Sequence, residues 1–425
     1  MPAYQTPGVY VEEIESGSKP IEAGSTNIAG FLGVAEKGPV NEAVLVTNWT
    51  QYAKIFGGFH AGGWLAHGVY QFFQNGGTKC FINNLASPPE GAGSSGGAEA
   101  GESAGDADGS GISDGSDGDS GGRSSAVEGE TLPAKIKNPE DIAKLIIGRD
   151  EGVGKKTGLC LFDTIPEIAL IAAPGVTDPA AQDAILSHCE KNRFRFAVLD
   201  SPEELEKGID TLPMPRDSIM GAYYFPWITM FDTAQDTQVY APPSGGICGV
   251  YSRVDSQRGV HKAPANEIFR TALGLKYNLT DAEQELLNPR GINCIREFPG
   301  RGIRVWGART VSSNPEWRYV NVRRLFCMVE QAIQNGTNWV VFEPNTRDLW
   351  KKITRNLTSF LLNTWRSGAL FGDTPEEAFY VRCDDELNPP ESIDAGYVVV
   401  EVGLAPAKPA EFVVFRVSQK TLENE

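Results

Sequence analysis

The run from residue 168 to residue 200 constrains the fold most. Ile168-Ala169-Leu170-Ile171-Ala172-Ala173-Pro174-Gly175 is apolar without alternation, so a strand formed there has both faces buried. Residues 178–192 carry a helical pattern, and Phe194-Arg195-Phe196-Ala197-Val198-Leu199-Asp200 reads as the next strand. A strand, helix, strand order with continuous apolar runs predicts a largely parallel sheet covered on both sides. An enzyme built on such a sheet places its chemistry at the strand ends, which singles out Asp163 and Asp200. No nucleophile and base pair can be assembled beside them, because the four histidines, His60, His67, His188 and His261, are scattered along the chain.

At 425 residues the chain exceeds one hydrophobic core, and two or three domains are expected. Buried strands are expected at residues 28–35, 44–46 and 80–82, with helices at 64–74 and 139–147. His60 and His67 could share a helix face, but they have no carboxylates at ligand spacing, so no metal site is expected. Seven widely spaced cysteines without a Cys-x-x-Cys pair argue against both a disulfide framework and zinc. Gly152-Val153-Gly154-Lys155-Lys156-Thr157 fails the phosphate-loop pattern, since position 149 is Arg149 and no Ser or Thr follows Lys155 directly. It is read as a charged turn. No apolar run is long enough to span a membrane, and no signal-like segment opens the chain.

Residues 88–133 differ in kind. Gly, Ser, Ala and Asp dominate, with ten acids against Arg123, a composition that cannot bury enough apolar surface to offset its ordering entropy. A disordered acidic surface insertion is expected. Its nucleophile-elbow match at Gly101-Glu102-Ser103-Ala104-Gly105 has no strand or helix around it. Its calcium-like run from Asp106 to Asp117 lacks flanking helices and the final Glu.

Charge is segregated along the sequence. Residues 290–366 hold thirteen Lys/Arg against five Asp/Glu, a net of +8 in a chain of −17, which leaves −25 for the remainder. Such segregation fits a face that meets an acidic partner. Leu325, Met328, Val329, Ala332 and Ile333 space a helical stripe that stops at Asn335-Gly336, and Trp339-Val340-Val341-Phe342 reads as a short buried strand. A second helix starts after Pro344 with Asn345 as N-cap. Its wheel places Leu349, Trp350, Ile353, Leu357, Phe360 and Leu361 on one side and Lys351, Lys352 and Arg355 on the other. On the residues alone, this cationic side is either a solvated face or a contact face.

Both ends look unpartnered. Gly8-Val9-Tyr10-Val11-Glu12-Glu13-Ile14 is strand-like with no hairpin partner, so it is either a local edge strand or an arm that adds to another subunit. Residues 241–266 form a Gly- and Pro-dense, loop-rich passage. Residues 398–404 read as a strand. Ala405-Pro406-Ala407-Lys408-Pro409-Ala410 reads as a stiff spacer that holds the final strand, Glu411-Phe412-Val413-Val414-Phe415-Arg416-Val417, away from its own domain.

The ordered set of motifs resembles the contractile tail sheath family of phage tails and phage-tail-like injection systems. It comprises Pro7-Gly8-Val9-Tyr10-Val11-Glu12-Glu13, Phe31-Leu32-Gly33 with Gly38-Pro39, Ala173-Pro174-Gly175, and Gly259-Val260-His261-Lys262-Ala263-Pro264-Ala265-Asn266. Arg323-Arg324, Phe342-Glu343-Pro344-Asn345, Trp365-Arg366-Ser367-Gly368-Ala369-Leu370 and Ala405-Pro406-Ala407-Lys408-Pro409-Ala410-Glu411-Phe412 complete it. The resemblance implies a mixed α/β chain: an extended N-terminal arm (1–27), a subtilisin-like α/β sheath domain without a working triad (28–309), a C-terminal α/β tube-facing domain (310–410) and a C-terminal arm (411–425). It implies a structural, non-enzymatic subunit with no cofactor, polymerised as stacked hexameric rings around an inner tube and meeting baseplate and terminal cap proteins. Assembly is expected in the bacterial cytoplasm, without direct nucleic-acid contact or membrane insertion.

On this reading Lys351, Lys352 and Arg355 contact the inner tube, while Val9, Tyr10, Val11, Phe412, Val413, Val414 and Phe415 pair with neighbouring subunits. A nucleic-acid binder using the basic stretch and an α/β hydrolase are the alternatives. The first lacks aromatics interleaved with an open basic groove, and the second lacks its nucleophile. Deleting residues 90–130 is expected to leave assembly intact, as imaged by electron microscopy. Loss of tubes in that deletion would make the insertion an interface.

Overall fold

The computed structural model describes residues 21–22, 24–60, 62–86, 139–205 and 207–414. The N-terminal run with Val9, Tyr10 and Val11, the insertion at 88–133, and Phe415 onward lie outside the described residues. The chain runs through β1 (Ala29–Gly33), β2 (Ala43–Val46), α1 (Trp49–Phe56), α2 (Leu65–Gln74), β3 (Cys80–Asn84), α3 (Pro139–Ile147), the short α4 (Leu159–Phe162) and β4 (Leu170–Ala172). Next come α5 (Pro179–Asn192), β5 (Phe196–Asp200), β6 (Gly221–Phe225), β7 (Ile228–Asp232), β8 (Thr237–Ala241), α6 (Ser244–Arg258), β9 (Glu267–Ile268) and β10 (Gly274–Leu275). The last elements are α7 (Asp281–Leu287), β11 (Ile292–Phe298), β12 (Gly302–Val305), α8 (Val320–Gly336), α9 (Arg347–Arg366), α10 (Pro375–Ala378), β13 (Phe379–Arg382), α11 (Pro390–Asp394) and β14 (Glu401–Leu404).

The expected covered parallel sheet forms. Its strand order is β2-β3-β1-β4-β5-β6-β11-β12-β9, with β3, β1, β4, β5, β6 and β11 parallel and antiparallel strands at both margins. Strand alternation sends Leu170, Ala172, Phe196, Val198, Ala222 and Tyr224 into one apolar cluster, shared with α1, α2 and α6. The intervening Ile171, Ala197, Leu199, Tyr223 and Phe225 enter a second cluster, shared with α3 and α5. Because each face has its own core, these strands show no polar alternation in sequence. Asp178 caps α5 by accepting from the Ala181 amide, with Pro179 in the first turn. The charged turn also forms, closed by the bridge between Asp150 and Lys156.

Four expectations need correction. Residues 44–46 lie in β2, the antiparallel margin strand, and Leu45 is exposed rather than buried. The passage from 241 to 266 is not simply loop: α6 fills most of it and is buried from Ser244 to Val254. Its Gly245, Gly246 and Gly249 mimic loop composition, yet Gly245 and Gly249 are what lets α6 press onto α2, and Gly246 makes room for the Phe269 ring. A Cβ on Gly245 would collide with the backbone of Gly68, and one on Gly249 with that of Phe72.

Trp339-Val340-Val341-Phe342 makes no strand. Residues Asn338–Val340 form a 3-10 turn, and Val341 and Phe342 are exposed, Phe342 in the left-handed region at φ 69°. Thr346, not Asn345, caps α9 by accepting from the Leu349 amide. Asn345 instead accepts from the Trp350 indole at 2.8 Å and donates to the Tyr397 carbonyl at 2.9 Å.

The smaller C-terminal layer is α8 and α9 against the two-stranded β13-β14 sheet. α8 has the anticipated stripe: Leu325, Met328, Val329 and Ala332 are buried, with Ile333 beside them. It also reaches the main sheet's core through Cys327. Gly245→Ala is expected to lower unfolding stability by about 1–3 kcal/mol in urea titrations, through overpacking at the α2-α6 contact. Gly58→Ala, where nothing lies within 4 Å of an added Cβ, is expected to change it by less than about 0.5 kcal/mol.

Candidate assembly surfaces

α9 buries Leu349, Trp350, Ile353, Leu357, Phe360 and Leu361 and turns Lys351, Lys352 and Arg355 outward, as the wheel predicts. Lys351 sits 3.7 Å from Asp348, but both side chains are exposed and the pair is worth little. Among the described residues, Lys352 and Arg355 have no ion-pair partner.

Much of the rest of the basic stretch is engaged within the chain, which corrects the picture drawn from linear charge. Arg290 donates to the Asp210 and Leu212 carbonyls, Arg296 pairs with Asp281, Arg323 with Glu330 and Arg347 with Asp385. Arg324 is buried against Asp255 at 2.5 Å, lies over the Tyr251 ring and donates to the Thr26 carbonyl. Burial works against its charge, but Asp255 holds its pKa above the ordinary arginine range. A tally along the sequence does not see the acids that folding brings in from elsewhere.

The C-terminal run is not held away from its own chain, contrary to the expectation of a spacer. The Ala405 amide donates to the Ala378 carbonyl, the Phe371 amide to the Ala405 carbonyl, and the Ala407 amide to the Ala369 carbonyl. Glu411 then accepts from four side-chain groups. Arg309 Nε and Nη2 lie at 2.9 and 2.7 Å, Asn288 Nδ2 at 2.9 Å and the Tyr319 hydroxyl at 3.2 Å. Burial alone would raise the Glu411 pKa, but Arg309, Asn288 and Tyr319 hold it below the ordinary glutamate range. Beyond this point Phe412, Val413 and Val414 are exposed and, among the described residues, pair with no strand. Phe412 and Val413 border a groove of about 780 Å³ that also touches His261, Ala263 and Trp306. In the β13-β14 sheet, neither outer edge is paired among the described residues.

The sheet's C-terminal end holds a feature the sequence reading missed. The Ser244 hydroxyl donates to Asp200 Oδ2 at 2.6 Å, and the Ser244 and Gly175 amides donate to the same carboxyl. Reading residues 241–266 as loop hid this contact. Both residues are buried, and no histidine is hydrogen-bonded to either one. His67 pairs with Asp232 at 2.9 Å. His188 lies 2.6 Å from Arg195 and is pushed down to about 4 by burial and that cation. The Ser244 and Asp200 pair thus locks α6 to β5 instead of presenting a nucleophile to a cleft.

Asp163 ends α4, not a strand, and is held by Lys191 and Asn192. His60 lies off the helix that carries His67, with its Nε2 3.0 Å from the Val34 carbonyl. Among the described residues, no three His, Cys, Asp or Glu side chains converge as a metal site, and no helix is long and apolar enough to cross a membrane.

Among the described residues, open strand edges, an outward cationic helix face and the exposed apolar run 412–414, with no catalytic constellation beside them, are the features of a structural protein. Residues 165–311 match the phage tail sheath protein central domain and residues 312–420 the phage tail sheath C-terminal domain. The chain belongs to the phage tail sheath family. A putative prophage major tail sheath protein of Pseudomonas aeruginosa is 26% identical over 66% of this chain and 74% of its own. The tail sheath protein of Escherichia phage P2 is 22% identical over 98% and 96%. The sheath of an extracellular contractile injection system, PVC, solved in the contracted state, superposes at a TM-score of 0.72 with 27% identity, covering 99% of each chain. The helical sheath of the anti-feeding prophage, also contracted, superposes at 0.70 with 27% identity, covering 98% of this chain and 100% of that one. These likenesses establish the mixed α/β sheath fold.

Burial raises the Asp200 pKa from 3.8 to about 6 against the pull of its three donors. The native state therefore keeps a proton that the unfolded chain has already released between about pH 4 and 6. The stabilisation is complete below the unfolded value and is lost as pH rises through about 6. Relative to Asp200→Asn, the wild-type chain is expected to lose about 3 kcal/mol between pH 3 and pH 7 in urea titrations. Parallel pH profiles would refute this.

Proposed function

We propose that this chain is the sheath subunit of a contractile injection particle. Copies polymerise as stacked hexameric rings around an inner tube, and the lattice shortens and widens to drive that tube through a target envelope. The observation that carries the reading is the match of 99% of the chain to a sheath solved in its contracted state. The anti-feeding prophage baseplate structure, whose matching chain superposes at a TM-score of 0.70, supports contact with a baseplate. Terminal cap proteins complete the partner set, and assembly in the bacterial cytoplasm precedes release.

We divide the chain at residues 27, 309 and 410 into arm, sheath domain, tube-facing domain and arm. The outward face of α9 meets acidic residues of the tube through Lys351, Lys352 and Arg355. Exposed ion pairs contribute about 0–1 kcal/mol each, so such a grip adds up around a ring yet releases pair by pair. The arms have the opposite property. Backbone pairing of Val9, Tyr10 and Val11, and of Phe412, Val413, Val414 and Phe415, with the open edges of a neighbour's β13-β14 sheet keeps subunits connected while their bodies rotate. The energy of contraction lies in the difference between two packings of the bodies and needs neither cofactor nor nucleotide. The nucleic-acid alternative loses ground because Arg290, Arg296, Arg309, Arg323 and Arg324 are engaged within the chain.

Reversing Lys351, Lys352 and Arg355 to Glu is expected to leave unfolding stability within about 0.5 kcal/mol per site, because all three face solvent. Co-expressed with the tube protein and imaged by electron microscopy, this variant is expected to give empty or already contracted sheaths. Extended, tube-filled particles at wild-type yield would place the grip elsewhere.

A further inference from the structure

Glu411 sits where the C-terminal run changes character. Up to residue 407 the backbone is fastened to the C-terminal layer: Leu370 bridges Pro406, and the Asn321 side chain donates to the Ala407 carbonyl. Among the described residues, Lys408, Pro409 and Ala410 make no backbone-to-backbone hydrogen bond. Glu411 is then gripped by Arg309, Asn288 and Tyr319, and the exposed apolar run begins at the next residue. Two of its holders, Arg309 and Asn288, belong to the larger body, while Tyr319 sits at the start of α8. Arg309 exchanges two hydrogen bonds of 2.7 Å with the Asn293 side chain in β11, and its Nη1 donates to the Asn288 carbonyl after α7.

The run therefore emerges from the C-terminal layer in sequence but is tied at its exit to the parallel sheet. A carboxylate with two guanidinium bonds and two further donors has one orientation available, so it fixes direction as well as position. Residues 412–425 follow it, fourteen residues whose fully extended span is about 50 Å.

We infer that Glu411 is the positioning residue that sets the register of the C-terminal arm, and that force carried by the arm passes through Arg309 into the central sheet. The inference rests on the reading of the C-terminal run as an inter-subunit arm. Register is a sharp observable, because side chains alternate along a strand. Displacing a strand by one residue turns every side chain to the opposite face. Two insertions of a single alanine separate the possibilities. Placed between Lys408 and Pro409, the extra residue lies upstream of Glu411 and is taken up as slack. Placed between Glu411 and Phe412, it shifts the whole arm.

The test expresses each full-length insertion variant with the tube protein, counts ordered sheaths by electron microscopy, and measures thermal melting of the unassembled chain. The upstream insertion is expected to assemble within about twofold of wild type and the downstream one to lose tenfold or more, about 1.4 kcal/mol at the contact. Both are expected to keep the wild-type melting temperature. Equal losses for the two insertions would overturn Glu411 as the register point while leaving the arm in place. Wild-type assembly by both would overturn the arm reading itself. As an independent check, Glu411→Ala should make the upstream insertion as damaging as the downstream one. If it does not, the inference fails.

Discussion

The contact between Arg324 and Asp255 is the one on which the two layers of this protein depend. Both side chains are 4% exposed, one on α8 and the other on α6. Arg324 also lies over the Tyr251 ring and donates to the Thr26 carbonyl, so a single guanidinium joins the C-terminal layer, the buried helix of the main body and the chain just ahead of β1. Losing one member of such a pair leaves a charge stranded in the interior, typically at a cost of about 3–5 kcal/mol. α8 is thus fastened to the body by a bond that cannot slide, and the neighbouring contacts inherit that rigidity. Gln331 donates to the Pro166 carbonyl and the Cys327 thiol to the Arg193 carbonyl along the same helix.

This fastening separates what can move in a sheath lattice from what cannot. Within a subunit, α8 and the central sheet are rigidly coupled. Among the described residues it leaves two unlike kinds of surface open, solvated cations on α9 and the outer edges of β13 and β14. The first kind is screened by salt and easily broken, while the second is directional and continuous. A subunit with one contact of each kind can release a core object while staying joined to its own neighbours.

The sequence was legible wherever local pattern and tertiary role agree. The unalternating strands at 168–175 and 194–200, the Asp178 cap and the two-faced α9 all follow from spacing and side-chain type. It misled where composition stood for two things at once. Glycines at 245 and 249 signal a loop locally, but here they permit close helix packing, a fact held by Gly68 and Phe72 far away in the chain. Trp339-Val340-Val341-Phe342 is apolar enough for a strand, yet only Trp339 and Val340 find a core and the next two residues turn outward. Charge was the least legible property. The acids that neutralise Arg296, Arg309 and Arg324 come from residues 281, 411 and 255, and pairing at such separations leaves no trace in a window count.

The margins of the nine-stranded sheet have a consequence of their own. β2 has four residues and runs antiparallel to β3, while β9 has two and pairs antiparallel with β12, itself antiparallel to β11. Identical sheets crowded along a filament would otherwise invite edge-to-edge pairing, the usual route to amorphous aggregation or to fibrils that cannot be remodelled. Short marginal strands deny that route a template. The large sheet thereby offers copies of itself little to pair with, and on the function proposed the small β13-β14 sheet is where open backbone meets another chain.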